Sequence, residues 1–402
     1  MSFTSKLFIN GTILSLTVYL ALGLANPIAR IFLVIVLISI VFSVFNTWSL
    51  EKYRPVRMMF SLLMFVTSYF LMTWLFVGND SSYGNMFGFY SNVGLALGIF
   101  FFGLYCALHS KNGETLFKAV FFMSLVALFY RFTFARAEIA EKTYGNLTLN
   151  MGYDFVSLLP YLFLFKRKWI PIAISPLFIY AVIMCIKRGA ILITGMFFVY
   201  FLYTYFVKNE KKNKVRNTFI VLFLLICAII LASFFYYQNA HLQVRMHNMM
   251  EGDTNGRDVL FTKIFGYWKN EANVLEMLFG SGFCSSYKIA GNYAHNDWLE
   301  LLSSSGVLGV VIYLTFFLSQ YKYALRVEDV MYRKCICVIL MIWLSRTFFS
   351  MSYCSISNMP LSLFFGYMVG KTLTETHKLR FYEKRKIIKG SNRFFLSVAR
   401  NN

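Results

Sequence analysis

Apolar runs long enough to cross a bilayer recur from one end of this 402-residue chain to the other. A membrane span takes about 17–25 helical residues. In lipid the backbone must satisfy its own hydrogen bonds, which a helix does within a single segment. Twelve such segments can be read: 7–24, 29–47, 58–77, 88–108, 115–132, 152–165, 169–186, 189–207, 217–236, 297–319, 331–349 and 356–373. The sixth and seventh are the weakest, being short and carrying Pro160, Pro171 and Pro176, which kink or break helices. Composition agrees: 58% of residues are hydrophobic and 14% charged, against about a quarter charged in soluble domains. The expected fold is all-α, a polytopic integral membrane protein of about twelve helices. No small-residue cleavage site follows the first span, so it reads as retained.

The net charge of +21 raises the question of nucleic acid, but its distribution answers otherwise. With the N-terminus on the cytoplasmic side, 27 of the 39 Lys and Arg fall on cytoplasmic segments. That bias places both termini in the cytoplasm. No segment is long enough for a folded basic domain, so no nucleic-acid role is expected. The tail, 374–402, carries Lys384-Arg385-Lys386 and suits anionic headgroups.

Residues 1–402 read as one membrane domain with short connections except 237–296, a loop of nearly sixty residues between spans nine and ten. Loops that long in a compact domain usually serve function. Within it, Leu260, Phe261, Ile264, Phe265 and Trp268 recur at helical spacing. They predict a short amphipathic helix against the membrane surface. Gly280-Ser281-Gly282 predicts a tight turn. Cysteine spacing shows no CxxC and no metal-ligand pattern. His241 and His247 are a weak metal pair, and Asn146-Leu147-Thr148 fits a glycosylation sequon.

The chemistry-bearing residues gather on the outer side. His295 stands just before span ten, within Ala294-His295-Asn296-Asp297-Trp298-Leu299-Glu300. Its side chain suits proton transfer near neutral pH. Asn296 is a good helix cap, and Asp297 and Glu300 suit the first helical turn, so a plain helix-start role is open too. Gly306 and Gly309 follow, and either marks a site or permits close helix packing. Arg188 follows Lys187 and precedes Gly189-Ala190. A guanidinium there can clamp phosphate or anchor to lipid. Arg257 opens the loop helix, where a solvated charge or a pair with Asp258 is the plain alternative. Arg131, Arg136 and Arg245 read as snorkelling residues, and Arg346 as an internal partner or a cavity residue.

Taken together, these motifs resemble the O-antigen polymerase and O-antigen ligase superfamily. The resemblance rests on His295-Asn296, nine residues, then Gly306-x-x-Gly309. Lys187-Arg188-Gly189-Ala190 is similar to a Ser-Arg-Gly-Ala element, with Lys in place of Ser. Gly256-Arg257-Asp258-Val259-Leu260-Phe261 and Phe279-Gly280-Ser281-Gly282 resemble a loop arginine motif and a glycine turn. The motifs cover about residues 180–320, and the topology covers the rest. The Ala-His-Asn-Asp-aromatic-Leu-Glu form looks more like the polymerases.

The resemblance implies a lipid-pyrophosphate-dependent glycosyltransferase in the bacterial inner membrane, with the loop and active site periplasmic. Its donor and acceptor would be glycans on undecaprenyl pyrophosphate, with membrane lipids and a chain-length regulator as further partners. His295 would be the general base, and Arg188 and Arg257 would hold the pyrophosphate. Asn296, Asp297, Glu300, Gly306, Gly309, Gly280 and Gly282 would support them. The reaction would invert the anomeric centre and use no cofactor and no metal. The helix start would keep His295 neutral while Asp297 pushes the other way. A ligase transferring finished glycan to lipid A–core stays open, as does a flippase or transporter. Against the latter stand the missing internal repeat and the charges at the surface rather than the midplane.

Overall fold

The computed structural model describes residues 3–23, 26–78, 80–142, 151–167, 169–204, 214–238, 240–251 and 256–375. The sequon at 146–148, residues 253–255 of the turn or helix-entry signal that Asp253-Thr254-Asn255-Gly256 makes in the sequence, the basic tail beyond 375, and the side chains of Arg136, His241 and Arg245 lie outside the described residues. Every regular element described is helical: the chain is an all-α polytopic membrane protein. Seven of its helices are long and apolar enough to cross a bilayer, and three apolar segments are shorter.

The first five helices are α1 (Phe3–Leu22), α2 (Pro27–Thr47), α3 (Arg54–Val77), α4 (Met86–His109) and α5 (Gly113–Lys142). Then come α6 (Gly152–Leu158), which tightens into a 3-10 turn over Leu159–Leu164, α7 (Trp169–Met184), α8 (Arg188–Leu202) and α9 (Lys214–Gln238). The tightening falls at Pro160, whose missing N–H cannot continue the α-helical ladder. Pro176 sits inside α7 without ending it. The long loop holds α10 (Ala240–Met250), α11 (Arg257–Asn270), α12 (Val274–Phe279) and α13 (Ser285–Ala290). The chain closes through α14 (Asp297–Leu325), α15 (Val330–Phe349) and α16 (359–375).

Helix starts follow the capping residues. Asn26, Asn85, Asn296 and Asp329 each accept a backbone N–H of the first turn through the side chain. The core is apolar and aromatic, centred on α4, which is buried along most of its length. α4 meets α16 closely because Gly103 and Gly366 each face the other helix's backbone; a Cβ at either would collide with the Leu363 or Phe100 carbonyl. α9 is the opposite case. Its apolar side chains, among them Phe219 and Ile229, are mostly exposed, which suits a lipid-facing span.

Hydrogen bonds sort the connections into two ends. At one end, Arg54 bonds Ser319 (2.7 Å), Gln320 bonds the Pro55 carbonyl (2.9 Å), and Tyr332 bonds Glu375 (2.9 Å). At the other, Phe283 N–H bonds Thr73 (2.8 Å), Trp298 bonds Thr347 (2.9 Å), and Ser352 N–H bonds Asp297 (2.6 Å). The segments assigned to the outer side by charge thus share one end, and this end carries the candidate site.

Candidate active site

Asn296 caps α14 by accepting the N–H groups of Trp298 (2.9 Å) and Leu299 (3.2 Å). That sets His295 outside the helix, at φ +53. Left-handed backbone is uncommon for a non-glycine residue, and outliers of this kind tend to sit at functional positions. The imidazole is exposed and makes no hydrogen bond with the described residues. Surrounding protein atoms still remove enough hydration to lower its pKa below the usual 6.5. The positive charges of Arg257 and then Lys187 act in the same direction. Both effects favour the neutral ring, which keeps one nitrogen open to accept a proton.

The expectation that Asp297 would oppose this is overturned by geometry. Its carboxylate turns into the bundle and accepts from Tyr313 (2.8 Å), Ser352 N–H (2.6 Å) and Tyr353 N–H (3.3 Å). It fastens the 350–353 segment to α14. Glu300 does the same on the other flank, accepting from Ser286 (2.6 Å), Ala294 N–H (3.1 Å) and Ser304 (3.3 Å). Both are fully buried, so neither serves merely as a surface charge at the helix dipole. They hold the two strips of chain on either side of His295.

Arg257 arrives from α11, immediately after Gly256 at φ +74. Among the described residues its only hydrogen bond is from Nη1 to the Phe349 carbonyl, 2.9 Å. A cation at the C-terminus of α15 is favoured by that helix's exposed carbonyls. The plain alternative, a pair with Asp258, is not what positions it. Arg188 opens α8 directly after Lys187 and the strained Ile186, φ +54. A Cβ on the following Gly189 would lie 2.5 Å from the Tyr153 hydroxyl and 2.7 Å from Phe349 Cβ. The Lys187-Arg188-Gly189 strip is thus pressed against the residue that holds Arg257. The residue departing from the Ser-Arg-Gly-Ala pattern, Lys187, is the one whose charge reaches His295.

The glycines have different work from simple helix packing. Gly306 interrupts α14 at φ +62, ψ −159. A side chain there would meet the Leu278 carbonyl at 2.5 Å and Gly280 N at 2.7 Å. The predicted turn docks into this kink, with Ser281 N–H on the Ser303 carbonyl (2.8 Å) and Gly282 N–H on the Ser304 carbonyl (3.1 Å). Gly280 and Gly282 are therefore fixed against α14. Gly309 lies one turn on, beside the Ser305 side chain.

Sequence reading missed two contributors, the Phe349 carbonyl and Tyr153, whose hydroxyl donates to it (3.3 Å); Arg346, read as an internal partner or a cavity residue, is buried beneath them. Polar residues inside a span were the available signal. Arg131 was read as snorkelling; it instead lies 3.8 Å from Asp154. Cys284 and Cys354 are buried and free. Burial pushes both thiols up, the charge of Glu300 adding to it at Cys284 and those of Asp297 and Glu300 at Cys354, so neither is poised as a nucleophile. Among the described residues no group of His, Cys, Asp and Glu is arranged to hold a metal ion. No protein-family model and no curated protein matches this chain, so the case for the site rests on an unbonded, neutral imidazole and the cations beside it.

Proposed function

We propose that this protein is a repeat-unit (O-antigen) polymerase, joining oligosaccharides carried on undecaprenyl pyrophosphate at the outer face of the inner membrane. The observation that carries the reading is the exposed, unbonded ring of His295 within the field of Arg257 and Lys187. A base that must stay neutral, beside cations that attract an anion, fits displacement of a phosphate leaving group by a hydroxyl. The motif form around His295 favours polymerase over ligase.

The acceptor hydroxyl oxygen forms the new bond to the anomeric carbon. The bond from that carbon to the pyrophosphate oxygen breaks, and its electrons leave with the lipid pyrophosphate. The hydroxyl proton passes to a ring nitrogen of His295. Arg257 and Arg188 take up the charge growing on the departing oxygen, each able to offer two parallel N–H donors. Attack opposite the leaving group inverts the anomeric centre.

The lipopolysaccharide ladder of a strain lacking the protein tests this. A single repeat on the core is the expected pattern. Complete loss of O-antigen from the core would mean a ligase, and an unchanged ladder would remove both readings.

A further inference from the structure

Arg346 is wholly buried in α15, one turn before the Phe349 carbonyl. Its Nη1 bonds Ser157 (2.8 Å), the Ser357 carbonyl (3.3 Å) and Asn358 Oδ1 (3.2 Å). Its Cζ lies 5.1 Å from the Tyr153 ring centre. One guanidinium thus ties the end of α15 to α6 and to the chain entering α16. The same helix end holds the site: its Phe349 carbonyl accepts from Arg257 (2.9 Å) and Tyr153 (3.3 Å), and its Phe348 carbonyl accepts from Asn296 (3.5 Å).

Stability alone does not account for this arginine. Burying a guanidinium carries a desolvation cost that apolar packing avoids, and well-packed hydrophobic replacements are often neutral or stabilising. Here Nε and Nη2 have no hydrogen-bond partner among the described residues, which adds to the cost. What the residue supplies in return is direction.

We propose that Arg346 is a positioning residue: it fixes the last turn of α15 so that the Phe348 and Phe349 carbonyls hold Asn296 and Arg257 beside His295. Removing it lets the helix end splay from α6, and Arg257 loses its acceptor's fixed place. The inference takes its purpose from the transferase reading, but its test does not depend on transfer.

The readout is the pKa of His295, measured as the pH dependence of its modification by diethyl pyrocarbonate, with the modified peptide identified by mass. The charged groups acting on the ring are Arg257 from α11 and Lys187 from the strip before α8; Asp297 and Glu300 on its own helix are engaged elsewhere. Arg257→Met removes a nearby positive charge, so the His295 pKa rises. Arg346→Met is expected to give most of that rise with Arg257 still present. The double variant is expected to rise no further than Arg257→Met alone, since Arg346 acts through Arg257. A folded Arg346→Met with an unchanged pKa, or a double variant showing the sum of both rises, would overturn the proposal. If Arg346→Met fails to insert, Asn358→Leu removes one anchor and keeps the charge. A smaller rise is then expected, and no rise would count against the proposal equally. Absence of glycosyl transfer by the native protein would sink the functional reading and leave this result standing.

Discussion

The long loop contains two halves built on opposite principles. The first, α10 and α11, has few buried side chains among the described residues: Leu242 on α10, packed with Ile183 and Ile186, and Ile264 on α11, while Phe265 is 49% exposed. Its hydrogen bonds include Gln243 on the Tyr237 carbonyl (2.9 Å), Arg257 on the Phe349 carbonyl, Tyr267 on Glu276 (3.4 Å) and Trp268 on the Met277 carbonyl (3.3 Å). The second half, from the capping box at Asn273 and Glu276 to Asn296, is bonded to α14 backbone to backbone and through buried Glu300. Few buried contacts mean a low cost of local opening. The proposed base therefore sits in a fixed frame, while Arg257, one of the two arginines proposed to hold the pyrophosphate, rides on a lighter arm. Such an arrangement lets a site close on its substrate and exclude water.

Changes in the frame's chemistry should have the largest effect. His295→Ala is expected to lower transfer by purified protein about 10²–10⁴-fold, with insertion and donor binding retained. Near-full activity would return His295 to a helix-start role. The pH profile sharpens the point. The ring must be neutral to accept a proton, and its pKa is depressed, so the acid limb of the rate is expected below the ordinary 6.5. By the same sign, the folded state resists protonation there, so its stability falls as pH drops below the ordinary His pKa towards the depressed one.

The arm comes next. Arg257→Lys and Arg188→Lys keep the charge and lose the planar fork. Each is expected to cost about ten- to hundredfold in rate, the worth of one charge-assisted hydrogen bond. Recovery of most activity by Lys would mean generic attraction to phosphate. Smaller, and on stability rather than rate, is the contrast between two glycines. Gly306→Ala adds a collision with the 278–280 backbone to a left-handed backbone cost of about 1–2 kcal/mol. Gly256→Ala carries only the backbone cost, since no atom of the described residues lies within 4 Å of its Cβ. Thermal unfolding is expected to fall clearly further for Gly306→Ala; equal losses would dissolve the frame–arm distinction.

Hydropathy and caps made the bundle legible. Each of the twelve expected segments overlaps a described helical stretch, seven of these helices being long and apolar enough to span, and the loop helix predicted from Leu260 to Trp268 is α11. These features are local, set by residues three to twenty apart. Contacts between distant residues were not legible: Arg257 finds Phe349 across 92 positions, and Ser281 finds Ser303 through a glycine kink. Asp297 and Glu300 looked like first-turn charges because composition cannot reveal which way a carboxylate turns. Gly306 looked like a packing residue because its positive φ exists only in the folded chain.

Hydrogen exchange, with and without a lipid pyrophosphate analogue, tests the division of labour most directly. Protection is expected to rise over 256–269 when the analogue is bound, while 280–306 exchanges slowly and equally in both states. Equal protection of 256–269 in both states would make the arm a fixed wall, with Arg257 set in place before the substrate arrives, and would contradict this account.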